Sequence, residues 1–174
     1  MPDVIFQRFL ANSATAAEDL VRRSDVLRVY NDSRAPAAFF CEYAVPYLQR
    51  LPDGVVGVHA GPVRAVVHFP ADYLRSTDSH LYLRVAAAAT PDIVHPNIRG
   101  PGVCLGSAFR AGTGLVVILR ELYEIFTYAN YNLVSSLNPE ACRLLRAHRH
   151  LLESLAPPPL VRRSLNLHVK VTAR

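Results

Sequence analysis

The sequence predicts a single α+β domain, and three observations carry this prediction. Residues 36–70 form short β-branched and aromatic runs divided by turn residues. From residue 115 onward, apolar side chains instead recur at the three-and-four spacing of helices. A capping motif near residue 15 places a further helix before the strands. The resulting order is an N-terminal helix, an antiparallel meander of about four strands, an irregular segment and C-terminal helices, all within one domain over 1–174.

The first predicted helix depends on Thr15 and Glu18. Thr15-Ala-Ala-Glu18 has the form of a capping box, in which the hydroxyl and the carboxylate each cover a free amide at a helix start. We therefore expect a helix over about 15–24. The preceding VIFQRFLAN, at 4–12, is expected to add a separate helical turn or two.

The middle of the chain predicts the meander. AAFFCEYAVPYL, VVGVHA and VRAVVHF are three strand-like runs, divided by Pro52-Asp53-Gly54 and by Gly61-Pro62, which are typical of turns. A fourth strand is expected in LYLRVAAA, at 81–88. Several prolines then predict that 91–101 has no regular structure.

Two helical segments are expected after the irregular region. The first, 115–128, repeats one apolar face, formed by Leu115, Ile118, Leu119, Leu122, Ile125 and Phe126. Asn138-Pro139-Glu140 combines an N-cap, a proline at N1 and a first-turn acid, and predicts a helix that the prolines at 157–159 end. The alternating tail LNLHVKV, at 165–171, predicts one short terminal strand.

Composition narrows the class of protein. No apolar run reaches the roughly eighteen residues of a membrane span, and MPDVIFQRFL lacks the basic region of a signal peptide. Three cysteines without framework spacing fit a reducing compartment, so we expect a cytoplasmic protein.

Lys170 is the single lysine among 19 basic residues. Codon bias is the simpler explanation, and an enzyme that modifies lysine amines is the alternative. The arginines are dispersed, so no nucleic-acid partner is expected.

The segment HPNIRGPGVCLG, at 95–106, contains the candidate for chemistry. Cys104 follows a run of turn residues and does not lie in a periodic apolar element. Most cysteines are buried structural thiols, but this setting predicts an accessible one. A thiolate is a strong nucleophile and suits covalent catalysis.

These motifs and their order resemble the ubiquitin-conjugating enzyme family. The resemblance runs from about 38 to 155 and rests on FPADY at 69–73, HPNI at 95–98, GVCL at 102–105 and LNPEA at 137–141. As a whole, the sequence is most similar to the bacterial members, which are encoded beside an activating enzyme, a ubiquitin-like protein and an isopeptidase. The resemblance implies the ubiquitin-conjugating-enzyme-like fold for this chain.

The resemblance implies that Cys104 accepts the C-terminus of a ubiquitin-like protein as a thioester from an activating enzyme and passes it to a target amine. Thioester exchange is nearly isoenergetic, so no strong dedicated base is expected, and no metal or organic cofactor. The implied partners are the ubiquitin-like protein and the activating enzyme. Analogy with the bacterial relatives implies a role in antiviral defence.

The resemblance also implies roles for other residues. Asn97 stabilises the oxyanion at the thioester carbonyl or holds the active-site loop, and both roles stay open. His95, Pro96 and Gly102 form the architecture of the site. Ser135 falls on the gate beside the cysteine, where it would orient the incoming amine, with an ordinary surface loop as the alternative.

Arg22 and Arg23 are candidate contacts for the activating enzyme, because the first helix is its docking surface in the family. A solvated helix face is the alternative. The chain departs from the family pattern in two places near the cysteine. His95 and Cys104 are one position closer than usual, and no tryptophan is present, so we expect Phe109 to fill its space.

Two other functions compete with conjugation. A non-catalytic relative would bind ubiquitin-like proteins through the same fold, but the retained Cys104 favours the enzyme. A thiol hydrolase would need an oriented histidine beside Cys104, and the sequence indicates none. Cys142, His148 and His150 could be considered as metal ligands, but they are expected to be a helix-packing cysteine and two solvated histidines.

Overall fold

The computed structural model describes residues 3–75, 84–86, 92–106, 109–134 and 136–162. Within these ranges the chain forms four α-helices and six β-strands. The helices are α1 (Val4–Arg22), α2 (Leu115–Phe126), α3 (Pro139–Ala147) and α4 (Arg149–Ser154). The strands are β1 (Leu27–Asn31), β2 (Ala38–Arg50), β3 (Val56–His68), β4 (Arg84–Ala86), β5 (Ile98–Arg99) and β6 (Gly102–Val103). The predicted α+β class is confirmed.

Helix α1 begins much earlier than predicted. The Asp3 carboxylate accepts hydrogen bonds from the amides of Ile5 and Phe6, at 3.0 and 3.3 Å, and so caps the helix. Thr15 lies in the helix interior, where its hydroxyl donates to the carbonyl of Ala11. The predicted capping box at 15–18 is therefore wrong, and the two expected segments are one helix, because an effective cap at Asp3 precedes a continuous buried face.

The antiparallel sheet has the strand order β1-β2-β3-β4-β6-β5. Its main unit is the β2–β3 hairpin, in which the register runs from Ala38 opposite His68 to Arg50 opposite Val56. The predicted turn at Pro52-Asp53-Gly54 is confirmed, and Gly54 takes the positive φ of 85° that this turn requires.

The predicted turn at Gly61-Pro62 is wrong, because β3 runs straight through both residues. Pro62 lies opposite Ala44, and the amide of Ala44 points away from β3 to donate to the carbonyl of Val26 at 2.8 Å. The two residues therefore exchange no ladder hydrogen bond, and a proline is tolerated at this position.

The strand set also differs from the predicted meander. The sequence does not predict β1, whose five residues pair with the first part of β2. Strand β4 lies inside the segment 81–88, as expected for the fourth strand. The prediction of no regular structure at 91–101 is wrong at 98–99, where β5 pairs with β6 in a short hairpin. Two-residue strands form there because Pro96 precedes β5 and Pro101 occupies the turn.

The core lies between the inner face of the sheet and helices α1 and α2. Helix α2 confirms the predicted apolar face, because all six predicted residues are buried. Tyr43 of β2 is fully buried, and its hydroxyl donates to the carbonyl of Leu119 at 2.8 Å. Phe109 is buried as well, and its filling of the space of a tryptophan stays a prediction.

The C-terminal helix begins as predicted but does not continue. Asn138 caps α3, with Pro139 at its first position and Glu140 in its first turn. The chain leaves helical geometry at His148, so α3 and α4 are two helices where one was expected. The predicted terminal strand at 165–171 lies outside the described residues. Within the described ranges, every helix is too short or too polar to cross a membrane.

Candidate functional site

The β5–β6 hairpin places Cys104 at the surface. Arg99 lies opposite Gly102, and Gly100 and Pro101 form the two-residue turn between them. Gly100 has a φ of 54°, which a glycine adopts without strain at the first position of such a turn. Cys104 follows β6 directly and is exposed, as the sequence predicts, whereas Cys41 and Cys142 are buried. Burial raises the pKa of the Cys41 thiol to about 12.

Asn97 and Cys104 are joined by two hydrogen bonds in opposite directions. The backbone amide of Cys104 donates to the carbonyl of Asn97 at 2.8 Å. The side-chain Nδ2 of Asn97 donates to the carbonyl of Cys104 at 3.2 Å. The spacing between His95 and Cys104, one position shorter than the family pattern, therefore still brings Asn97 against the cysteine.

Both polar atoms of the Asn97 side-chain amide form hydrogen bonds that hold the loop. Its Oδ1 accepts a hydrogen bond from the backbone amide of Asn132 at 3.4 Å, while Nδ2 binds Cys104. An amide NH₂ group has two N–H donors. The second has no hydrogen-bond partner among the described residues, so the same side chain can hold the loop and still offer a donor to an oxyanion.

His95 is fully buried beneath the loop. Its Nδ1 accepts a hydrogen bond from the amide of Asn97 at 3.0 Å, and its carbonyl accepts one from the amide of Ile98 at 3.1 Å. Burial lowers the pKa of His95 to about 3, and interaction with the backbone of Ile125 opposes this effect. The imidazole is therefore neutral near pH 7 and has no contact with solvent through which it could exchange a proton with a substrate.

Asn138 is a site residue that the sequence analysis identified only as a helix cap. Its Oδ1 accepts from the amide of Ala141 at 3.1 Å, as an N-cap does. Its Nδ2 donates to the carbonyl of Ile98 at 2.9 Å, and its own amide donates to the carbonyl of Pro96 at 2.9 Å. Asn138 therefore clamps the turn at 95–98 to the start of α3. The signal in the sequence was the residue type. A cap needs only a side-chain acceptor, such as the carboxylate of Asp or the hydroxyl of Ser, whereas the asparagine amide also carries a donor.

Tyr128 is the second site residue that the sequence did not reveal. It follows α2, and its ring lies 4.8 Å from the His95 ring, measured between centroids. Its hydroxyl donates to the carbonyl of Val94 at 2.8 Å. An aromatic residue near a helix end predicts ordinary core packing, so no local signal distinguishes Tyr128 from its aromatic neighbours.

The other predicted residues of the active-site segment and its gate are Ser135, Pro96 and Gly102. Ser135 lies outside the described residues and stays a prediction. Pro96 is buried in the turn at 95–98. Gly102 pairs with Ala86 and Arg99 in the sheet, and an added Cβ would make only an ordinary contact, 3.5 Å from the Arg99 carbonyl oxygen. Sterics therefore do not require a glycine at this position.

Arg22 and Arg23 lie at the C-terminal end of α1 and are exposed. Arg22 forms an ion pair with Asp19, and Nε of Arg23 donates to the Asp19 carbonyl at 3.1 Å. The ion-pair and hydrogen-bond partners of these two side chains therefore lie on α1 itself, and the proposed contact with an activating enzyme stays a prediction.

The described part of the chain offers no cluster of three or more His, Cys, Asp or Glu side chains that could hold a metal ion. Cys142 is buried in α3, with its Sγ 4.0 Å from the carbonyl oxygen of Asn132. The rings of His148 and His150 lie 6.1 Å apart at the surface-facing junction of α3 and α4.

Comparison with known proteins identifies a similar fold. No family model matches the sequence, and no curated protein matches it. A solved structure described as "Novel Ubiquitin-Conjugating Enzyme" is similar to this chain, with a TM-score of 0.56 and 17% identity. The similarity covers 84% of this chain and 88% of that chain. The chain therefore has a fold like that of ubiquitin-conjugating enzymes.

Proposed function

We propose that this chain is a conjugating enzyme for a ubiquitin-like protein. Cys104 accepts the C-terminus of that protein as a thioester from an activating enzyme and transfers it to a target amine. The observation that carries the proposal is the exposed Cys104, whose backbone forms two hydrogen bonds with Asn97, within a fold like that of ubiquitin-conjugating enzymes.

In the two chemical steps, every bond formed and broken is accounted for without a cofactor. In the first, the Cys104 thiolate attacks the thioester carbonyl carbon on the activating enzyme; a new carbon–sulfur bond forms, and the activating enzyme's thiolate leaves. In the second, the target amine attacks the same carbon, an amide bond forms, the Cys104 thiolate leaves, and the amine releases a proton to solvent. Each step passes through an oxyanion, which the second N–H of Asn97 would stabilise.

Burial supports a structural assignment for His95. A general base must be within hydrogen-bond reach of the proton that it removes. His95 is fully buried and already accepts the amide of Asn97 at Nδ1, so it supports the loop and does not act as the base. Transfer then relies on the intrinsic reactivity of the thioester and on positioning.

The finer parts of the proposal follow from the resemblance. Ser135 would orient the incoming amine, and Arg22 and Arg23 would contact the activating enzyme. The expected setting is the cytoplasm of a bacterium, in an antiviral defence pathway whose ubiquitin-like protein and target are unidentified.

The test is a charging reaction with an activating enzyme, a ubiquitin-like protein and ATP. The first probes are the partners encoded by neighbouring genes, and ubiquitin with its own activating enzyme is the second. We expect an adduct that resists denaturant and disappears with a thiol reductant. Cys104→Ser forms an ester that resists the reductant, or no adduct, and Cys104→Ala forms none. The matched control is Cys142→Ala, which retains the adduct; normal charging by Cys104→Ala would exclude the proposal.

A second candidate function, non-catalytic binding of a ubiquitin-like protein or another partner, is favoured by the outer face of the sheet. Tyr30 and Phe40 are exposed there and line a shallow depression with Val66. The ion pair between Glu42 and Arg64, at 2.9 Å, borders the same depression. Such a mixture of aromatic and charged groups suits a protein contact.

The two candidates differ in their dependence on Cys104 and Phe40. Binding through the sheet face predicts a non-covalent complex that Phe40→Ser abolishes and Cys104→Ala retains. Conjugation predicts a reducible adduct that Cys104→Ala abolishes and Phe40→Ser retains. Titration calorimetry of the unmodified chain against the ubiquitin-like protein, without ATP, measures the first property separately from the second.

A further inference from the structure

Tyr128 has a backbone conformation that its residue type does not favour. Its φ is 59°, in the left-handed region that glycine enters freely and that other L-residues enter at a cost. Within the described residues, Asp92 is the other non-glycine residue with a positive φ. Strained backbone positions of this kind concentrate at functional sites, where the surrounding structure compensates for them.

The Tyr128 side chain makes contacts that a glycine could not provide. Its hydroxyl donates to the carbonyl of Val94 at 2.8 Å and accepts from the amide of Leu48 at 3.2 Å. Its ring is buried against the His95 ring at an interplanar angle of 49°. One residue therefore joins the end of α2, strand β2 and the chain just before the turn at 95–98.

These contacts continue to the cysteine in two further steps. The His95 ring, which Tyr128 contacts on one side, presents Nδ1 to the amide of Asn97 at 3.0 Å. Asn97 then forms its two hydrogen bonds with Cys104. If the His95 ring turned, the Asn97 amide would lose its acceptor, and the loop that carries Cys104 would lose one of its supports.

We propose that Tyr128 is a positioning residue for Cys104, which acts by fixing the His95 ring and thereby the hydrogen bonds between Asn97 and Cys104. The expected effect of Tyr128 on thioester transfer rests on the conjugating function proposed above. The positioning itself is a property of the isolated chain. The left-handed backbone at Tyr128 directs the ring to His95 and the hydroxyl to Val94 and Leu48 at the same time.

The test compares Tyr128→Phe with Tyr123→Phe in the full chain. Tyr128→Phe keeps the ring and removes both hydroxyl hydrogen bonds. Tyr123→Phe is the matched control, because Tyr123 lies on the preceding turn of α2 and its hydroxyl donates to the carbonyl of Pro158 at 2.6 Å, away from the loop. Amide hydrogen exchange, measured by NMR without partners, reports the amides of Asn97 and Cys104.

We expect exchange at both amides to rise about tenfold in Tyr128→Phe, relative to amides of the β2–β3 ladder, and to stay unchanged in Tyr123→Phe. Equal exchange in Tyr128→Phe and the wild type would overturn the proposal. Tyr128→Asn provides a second variant, because asparagine tolerates the left-handed backbone. It lacks the ring, so loop exchange should rise further.

Transfer provides the second readout. Discharge of the Cys104 thioester to free lysine should fall about 10- to 100-fold in Tyr128→Phe while charging stays close to wild type. If Tyr128 acts through Asn97, Tyr128→Phe has no further effect on discharge in an Asn97→Ala background. Additive effects in the double variant would overturn that route. A wild-type chain that never charges would instead exclude the proposed function, and the exchange data would still decide the positioning.

Discussion

Asn97 and Cys104 hold each other across six intervening residues. The amide of Cys104 donates to the Asn97 carbonyl at 2.8 Å, and Nδ2 of Asn97 donates to the Cys104 carbonyl at 3.2 Å. The cysteine backbone is thus fixed while its thiol is exposed. A nucleophile on a fixed loop loses little conformational freedom when a large acyl donor docks, which favours attack from one defined direction.

The first prediction separates the two ends of the Asn97 amide. Asn97→Asp keeps an acceptor for the Asn132 amide but has no N–H for Cys104 or for an oxyanion. We expect discharge of the thioester to free lysine to fall about 10²- to 10³-fold in Asn97→Asp and in Asn97→Ala, because both lack the donor. Single-turnover discharge kinetics measure this, and wild-type discharge by Asn97→Asp would contradict it.

The second prediction concerns thiol selectivity. Cys104 is exposed, whereas Cys41 and Cys142 are buried and burial raises the pKa of Cys41 to about 12. Because alkylation requires an accessible thiolate, iodoacetamide at pH 8 should modify one thiol per native chain and all three in denaturant. Intact-mass spectrometry counts the adducts. Rapid native alkylation of the Cys104→Ala variant would show that a buried thiol becomes accessible.

The third prediction concerns pH. Burial lowers the pKa of His95 from its ordinary 6.5 to about 3 in the folded state. Well above pH 6.5 the ring is neutral in both states, so it adds no pH dependence there. As the pH falls from about 6.5 towards 3, the unfolded chain binds a proton that the folded chain does not. The free energy of unfolding should therefore fall by up to about 1.4 kcal/mol per pH unit.

His95→Asn is the control for this pH dependence, since its Oδ1 can replace Nδ1 as the acceptor for the Asn97 amide and does not titrate. Urea unfolding from pH 7.5 to 4 measures both chains, and subtraction removes the contribution of the carboxylates. Parallel pH profiles for the two chains would contradict the assignment.

The fourth prediction separates the cap from the clamp at Asn138. Asn138→Asp keeps the oxygen that accepts from Ala141 but loses the N–H that donates to the Ile98 carbonyl. Asn138→Ala loses both, and a lost cap costs about 1 kcal/mol. We expect both variants to increase hydrogen exchange at the Cys104 amide, while only Asn138→Ala also loses the helix cap. Unchanged exchange in Asn138→Asp would show that the clamp does not support the loop.

The fifth prediction tests where α1 begins. Asp3→Ala should lower the free energy of unfolding by about 1 kcal/mol, because it removes the cap on Ile5 and Phe6. Thr15→Ala should change it by less than about 0.5 kcal/mol, since Thr15 lies on an exposed helix surface. Urea unfolding of both variants is the measurement, and a larger loss for Thr15→Ala would favour a helix start at residue 15.

Two local sequence patterns predicted the wrong structure for physical reasons. A capping box is a local pattern, and Thr15-Ala-Ala-Glu18 satisfies it inside a helix that Asp3 already starts. Gly61-Pro62 is a turn signal, but the geometry of the β2–β3 ladder leaves the Pro62 nitrogen without a hydrogen bond to make. In both cases the longer element determined the outcome, because burial of a whole face outweighs one local preference.

The sequence by itself determined the features whose causes lie within a few residues. These include the apolar face of α2, the cap at Asn138, the turn at Pro52-Asp53-Gly54 and the exposed position of Cys104 after a run of turn residues. Each depends on side-chain spacing, on φ preferences or on a hydrogen bond over three residues.

Only the tertiary structure decided how the cysteine loop is supported. Tyr128 binds Leu48 across 80 positions, and Asn138 binds Ile98 across 40. Such contacts form only when the helices pack on the sheet, because no local preference brings residues so distant in sequence together. The candidate nucleophile could therefore be identified from the sequence, and Asn97 through the resemblance, whereas the support that Tyr128 and Asn138 give to the cysteine loop could not.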